Sequence, residues 1–274
     1  MPLALPPATR RPRREFLPGV QFIPPGALGQ PASGPVVLGQ GCFGVVTLQV
    51  LQGHQRPVAV KKVGAGNRRA LNNEVLAMAW LSGHPSFPEF HGVVRDGAGF
   101  SMVMEFVGDP ATGTSLTLSD ALDGPSRLAL APVDWWKVAV GLVDGMNHMH
   151  EQAGLLHNDL KSDNILMARV GGVWSACIID VGLCSPKCHP KTRHPTASEK
   201  AWSQLHQTHL APELLEGQPQ SRLSDVFQLG LVLHLIGHYG GVPGLVQHGL
   251  WGASKDPKSR PSLAVLRLAV EALY

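Results

Sequence analysis

The side chains able to do chemistry gather in one short stretch, Leu156-His157-Asn158-Asp159-Leu160-Lys161-Ser162-Asp163-Asn164-Ile165-Leu166, with Asp180-Val181-Gly182 arriving 16 residues after Asn164. Between them, Ile165 to Val170 and Val173 to Ile179 read as two strands joined by Gly171-Gly172, a tight hairpin turn. Such a hairpin returns Asp180 to the loop that carries Asp159, Lys161 and Asn164. Among Asp159, Asn164 and Asp180, two side chains can then give oxygen to a hard cation such as Mg²⁺ beside phosphates, which leaves one carboxylate for a hydroxyl proton and Lys161 to offset a moving charge. Four polar residues that merely cap turns would have no reason to converge.

Two features upstream complete a phosphate-handling set. In Gly39-Gln40-Gly41-Cys42-Phe43-Gly44-Val45-Val46 the glycines let backbone N–H groups approach an anion without a Cβ in the way. Its strand-turn-strand setting argues against a dinucleotide-binding unit, which needs strand-turn-helix and a later acidic residue. In Val58-Ala59-Val60-Lys61 the period of two puts Ala59 and Lys61 on one face, and Val58 and Val60 on the other. Glu74 sits on a helical stretch between Leu71 and Met78, so its carboxylate emerges beside a buried stripe and calls for a cation. Lys61 is the expected partner, with Arg69 or solvent as the alternative.

The elements that must hold these groups follow from periodicity. Val36 to Leu38, Val45 to Leu51, Pro57 to Lys62, His91 to Arg95 and Phe100 to Val107 read as strands of a small antiparallel sheet, and Asn67 to Ser82 as one helix. After Gly108 helical periods dominate: Trp135, Val138, Leu142, Met146 and Met149 step down one face of a helix that ends before Gly154. A β-rich lobe, an extended connection around 105–109 and a larger helical lobe imply a cleft between them. Residues 1–35 hold nine prolines and no sustained apolar period and read as a flexible Pro/Arg-rich tail, leaving 36–107 and 108–274 as the two lobes.

The 274 residues are 44% hydrophobic and 16% charged, enough to bury a sizeable core. The net charge of +3 falls mostly on Arg10, Arg11, Arg13 and Arg14, which disfavours a nucleic-acid binder working by bulk charge. No apolar run is long enough to span a membrane. The N-terminus places its charges after a proline-broken apolar start, the reverse of a secretory signal. Four cysteines, Cys42, Cys177, Cys184 and Cys188, are too few for a disulfide framework, so the expectation is reduced thiols in the cytoplasm; the Arg run leaves a nuclear address open.

Taken in order, these residues resemble the protein kinase family from about residue 36 to 274. The matching motifs are the glycine loop, Val58 to Lys61, Glu74, the HxDLKxxN loop at 157–164, DxG at 180–182, Ala211-Pro212-Glu213, Ser224 to Gly230, and Asp256 to Pro261. The resemblance implies an α+β bilobal fold, ATP with Mg²⁺ or Mn²⁺, and transfer of a phosphoryl group to Ser or Thr of a protein substrate by a chain expected to be a monomer. It further implies that Gly39, Gly41, Gly44, Val46, Ala59 and Lys61 surround the nucleotide, that Met104 backs its pocket and that Glu105 and Val107 offer backbone groups to adenine. Lys61 would pair with Glu74, Asn164 with Asp180 would hold the metal, and Asp159 with Lys161 would serve the reaction. Glu213 and Arg260 would form a buried structural ion pair.

Several positions depart from the family pattern. Asn158 replaces the usual Arg, removing a cation for an activation-loop phosphate. Val181 replaces Phe, and His206 stands where serine/threonine-directed members usually have Thr, so the expected hydroxyl beside Asp159 is missing. Asp225 to Arg260 is short, which trims the helices that dock substrates. The 184–209 region reads as a flexible polar segment with acceptors Thr192, Thr196, Ser198 and Thr208, and only weakly as a zinc site. Two other functions stay open: a nucleotide-binding pseudokinase or scaffold, and a small-molecule kinase of the aminoglycoside or choline type.

Overall fold

The computed structural model describes residues 20–41, 44–53, 55–62, 68–96, 99–205 and 208–274. Cys42 and His206, singled out above, lie outside them. A curled sheet is built from β1 (Phe22–Ile23), β2 (Leu28–Gly29), β3 (Val36–Gly41), β4 (Gly44–Leu51), β5 (Arg56–Lys62), β6 (Phe90–Asp96) and β7 (Gly99–Glu105). The order is β1-β6-β7-β5-β4-β2, with β3 also on β4. Helix α1 (Arg68–Leu81) packs against it.

The alternation read along β5 divides two cores. Val58 and Val60 pack on one face with Ile23, Val94 and Val103. Ala59 and Lys61 turn to the opposite face and line a cavity. On α1, Leu71, Val75, Met78 and Leu81 join the larger core, at the spacing of one helix face.

Residues 20–35 differ from the expected tail. Strand β1 pairs in parallel with β6, β2 pairs with β4, and Ile23 is buried against the outer face of β5, β6 and β7. The sheet is therefore mixed where only antiparallel pairing was expected. Dense prolines hid this segment because its strands are two residues long, too short for any period to show. The approach depends on Gly92, at φ +136°, where a Cβ would come within 2.4 Å of the Gln21 carbonyl oxygen. That carbonyl accepts a 2.9 Å hydrogen bond from Val93 N–H.

The remaining elements are mainly helical: α2 (Leu118–Asp123), α3 (Pro132–Glu151), α4 (Ala197–Leu205), α5 (Pro212–Leu215), α6 (Arg222–Gly240), α7 (Pro243–Gly252) and α8 (Leu263–Glu271). Among them run the short pairs β8 (Leu155–Leu156) with β11 (Ser185–Pro186), and β9 (Ile165–Val170) with β10 (Val173–Ile178). The β9–β10 turn is Gly171-Gly172 as expected, both at positive φ. Helix α3 buries Trp135, Val138, Leu142, Met146 and Met149. Among the described residues no helix is long and apolar enough to cross a membrane.

The segment from Cys184 onward is more ordered than its composition suggested. Helix α4 opens on a capping box: Thr196 Oγ1 accepts from Glu199 N–H at 3.2 Å, and Glu199 Oε2 accepts from Thr196 N–H at 2.8 Å. Arg193 adds a 2.6 Å ion pair to Glu199. Lys191 Nζ donates to the carbonyls of Leu183 and Cys184.

Candidate active site

A cavity of about 460 Å³ lies between the sheet and the helical region, a size that suits a small-molecule ligand. Val46 and Ala59 line it from the middle of the sheet, Met104 and Glu105 from the end of β7, Leu166 from β9, and Val107 from the connection that follows β7. Val107 N–H has no partner among the described residues, although the Val107 carbonyl already accepts from Ser115 Oγ at 2.7 Å. Glu105 N–H is taken by the Glu89 carbonyl at 2.8 Å, so that N–H is not available to a ligand. At the β3–β4 turn a Cβ on Gly39 or Gly41 would meet nothing within 4 Å, so the backbone there borders open space wide enough for an anion.

Lys61 reaches the cavity from β5, as its strand period required. Its Nζ lies 2.6 Å from Glu74 Oε1 and 3.0 Å from Asp180 Oδ1. Glu74 thus takes Lys61, the partner expected over Arg69 or solvent. Burial works against the Lys61 charge, but Glu74 and Asp180 outweigh it and hold the ammonium above its ordinary pKa. The cation is fixed as a charge, available to phosphate oxygens on the cavity side.

Across the cavity the hairpin converges its groups as the spacing implied. Asp180 has left-handed backbone, φ 57°, where the chain turns out of β10 toward Val181. Val181 is fully buried, so the smaller residue in the DxG triplet still packs inside. Asn164 Nδ2 donates to the Asp159 carbonyl at 2.8 Å and to Asp159 Oδ2 at 3.0 Å, which leaves the Asn164 amide oxygen without a described partner. Asp180 has one oxygen on Lys61 and a side chain one-third exposed. One amide oxygen and one carboxylate are the donor set Mg²⁺ takes when phosphates supply the rest. Among the described residues no group of three or more His, Cys, Asp or Glu could hold a metal ion without such help. Among the described residues of the 184–209 region, read only weakly as a zinc site, there is no such group either; Cys188 Sγ and His189 Nδ1 lie 3.2 Å apart.

Asp159 is held at both carboxylate oxygens. Oδ2 receives Lys161 Nζ at 3.1 Å and Asn164 Nδ2, while Oδ1 receives His209 Nε2 at 2.8 Å. Partial burial opposes its charge, but His209 and Lys161 prevail and hold its pKa down to about 2. His209 was missed by sequence reasoning, which looked for a hydroxyl at position 206.

Behind Asp159 a second carboxylate organises the loop. Asp225, fully buried in the first turn of α6, accepts from His157 N–H at 2.8 Å, Asn158 N–H at 2.8 Å and His150 Nε2 at 2.7 Å. Gln228, one helical turn on, accepts from Leu160 N–H at 3.0 Å. Asn158 takes positive φ, 71°, and its Nδ2 donates to the Leu183 carbonyl and to Ser185 Oγ. A neutral amide thus ties the loop to the segment after Asp180, where the family pattern has a cation. Glu213 and Arg260 meet bidentately at 2.6 and 2.8 Å, with Arg260 over the Phe227 ring.

The family model for the protein kinase domain matches residues 35–238. Among curated proteins, the probable serine/threonine-protein kinase roco6 of Dictyostelium discoideum is 33% identical over 138 residues, covering 49% of this chain and 6% of its own length. Mitogen-activated protein kinase kinase kinase 13 of Homo sapiens is 29% identical over 196 residues, covering 72% of this chain and 18% of its own. The chain therefore spans less than a fifth of the length of these relatives.

Proposed function

Because the chain belongs to the protein kinase family, we propose that it is an active enzyme transferring the γ-phosphoryl group of ATP to serine or threonine hydroxyls of a protein substrate. The observation that carries this reading is the position of Lys61 Nζ, within 3.0 Å of both Glu74 and Asp180 and facing the same cavity as Asp159 and Asn164. Lys161 in the loop, and relatives named as serine/threonine kinases, favour that acceptor class.

In this reading Gly39 and Gly41 give backbone room for the phosphates, Val46, Ala59 and Leu166 enclose the base, and Val107 N–H supplies it a donor. Asn164 and Asp180 would hold Mg²⁺, which when bound screens phosphate charge during transfer. Asp159 stays ionised, orients the acceptor hydroxyl and takes its proton as the oxygen forms its bond to the γ-phosphorus. The bond from that phosphorus to the β–γ bridging oxygen breaks, and ADP leaves with the electron pair. Lys161 and Lys61 stand where negative charge redistributes.

Incubation of the purified protein with γ-labelled ATP and Mg²⁺, beside Asp159→Asn, tests the proposal. Label on Ser or Thr of a general protein acceptor in the parent alone supports it. Nucleotide binding without transfer in either protein points to a scaffold, and label on a small acceptor alone to a small-molecule kinase.

A further inference from the structure

We infer that His209 is a positioning residue for Asp159, a donor from the segment before α5 that sets the plane of the carboxylate before an acceptor hydroxyl arrives. The inference rests on the phosphoryl-transfer reading above and extends it to a residue outside the motifs that support that reading.

The argument starts from lone pairs. Each carboxylate oxygen accepts about two hydrogen bonds. Asp159 Oδ2 is filled by Lys161 and Asn164, both on its own loop, whereas Oδ1 receives His209 alone among the described residues. Among the described residues one acceptor direction therefore remains, on Oδ1 beside His209, and it is the place for the incoming hydroxyl proton. Without His209 the described donors hold the carboxylate through Oδ2 only, and rotation about Cβ–Cγ moves Oδ1 away from that direction.

His209 itself is anchored from behind. Two residues on, Ala211 is fully buried and Pro212 opens α5, whose Glu213 is gripped by Arg260. Its ring meets the carboxylate through Nε2 and is about one-third exposed to solvent. The carboxylate acceptor requires the proton on Nε2. The hydroxyl that the family pattern would place at position 206 is absent from the sequence, and among the described residues the donor to Oδ1 is His209. His209 does not line the nucleotide cavity, so its effect falls on the acceptor side.

The test compares the full chain with His209→Leu, which keeps bulk without a donor, and His209→Gln, which restores an N–H at similar reach. Melting curves confirm that all three fold. In steady-state transfer to a protein acceptor, His209→Leu should lower kcat roughly ten- to a hundredfold with KM for ATP unchanged, and His209→Gln should recover most of it. An unchanged kcat in His209→Leu overturns the inference, as does a Gln variant no better than Leu, because bulk rather than the N–H would then matter. Ring ¹⁵N shifts of histidine-labelled protein separate this from the enzymatic proposal. The parent should show His209 protonated at Nε2, a preference lost in Asp159→Ala. A parent that transfers no label yet keeps that signature refutes the enzyme and leaves the contact standing. A parent without the signature refutes the positioning role whatever the activity.

Discussion

Replacing Asp225 by Asn changes one buried oxygen to an NH₂ group with almost no change in shape, and the outcome can be worked from its partners. Three donors point at this side chain: His157 N–H and His150 Nε2 at Oδ2, and Asn158 N–H at Oδ1. If the Asn carbonyl takes the Oδ2 place, Asn158 N–H faces the new NH₂. If it takes the Oδ1 place, His150 can shift its proton to Nδ1 and accept, but His157 N–H is left unmet. Either orientation orphans one backbone N–H, at about 1–3 kcal/mol. The surviving bonds also lose their charge assistance, about another 1 kcal/mol or more. A loss of about 2–5 kcal/mol follows, and at about 2–4 °C per kcal/mol for a chain of this size the melting temperature should fall by about 4–20 °C. Because the orphaned amide, on His157 or on Asn158, lies within two residues of Asp159, the proposed transfer activity should fall further than the unfolded fraction explains. Urea titration and calorimetry of parent and Asp225→Asn provide the check. A shift under about 1 °C with equal midpoints would refute the claim that this carboxylate organises the loop.

Three further outcomes are expected. Lys61→Met leaves the Glu74 carboxylate buried without its cation and should cost about 3–5 kcal/mol, while Lys61→Met with Glu74→Gln should recover much of that loss; a double-mutant cycle in urea measures the coupling, and additive losses contradict a paired arrangement. Glu213→Gln leaves the buried Arg260 guanidinium half-partnered, again at about 3–5 kcal/mol, and Arg260→Lys, which cannot bridge both oxygens, should also destabilise; a neutral Arg260→Lys speaks against the bidentate geometry. Asp159 is depressed to about 2 in the folded state against about 3.9 in an unfolded chain, so its stabilisation is present above pH of about 4 and is lost as pH falls toward 2, up to about 2–3 kcal/mol. Asp159→Asn should flatten that acid limb of the stability curve, and an unchanged limb rejects the assignment.

Much of the site was legible because its determinants are local. The alternation of Val58, Ala59, Val60 and Lys61 separates an outer core from a cavity wall, and the structure keeps that division. The stripe through Leu71, Val75 and Met78 placed Glu74 beside the buried face of α1, where Lys61 meets it. Gly171-Gly172 fixed a hairpin that returns Asp180 to Asn164. What escaped depends on contacts between distant segments. Nothing in the spacing of Thr208-His209 points to Asp159, fifty residues earlier. Asp225 did carry a signal, since a lone carboxylate opening an apolar helix needs donors, but their identity came only from the fold. The Thr196 to Glu199 capping box was readable in principle, masked by the polarity of its neighbours.

Strand β1 bears on how this protein can be cut. The region matched by the family model starts at residue 35, yet Ile23 plugs the greasy outer wall formed by Val58, Val60, Val94 and Val103. An excised fragment beginning at the matched boundary would uncork that wall and strip the backbone partner from β6, presenting a sticky, unpaired margin. Fragments for expression or crystallisation should therefore begin no later than Val20, and a shorter version that clumps would reflect where the knife fell rather than a flaw in the cavity or its lining.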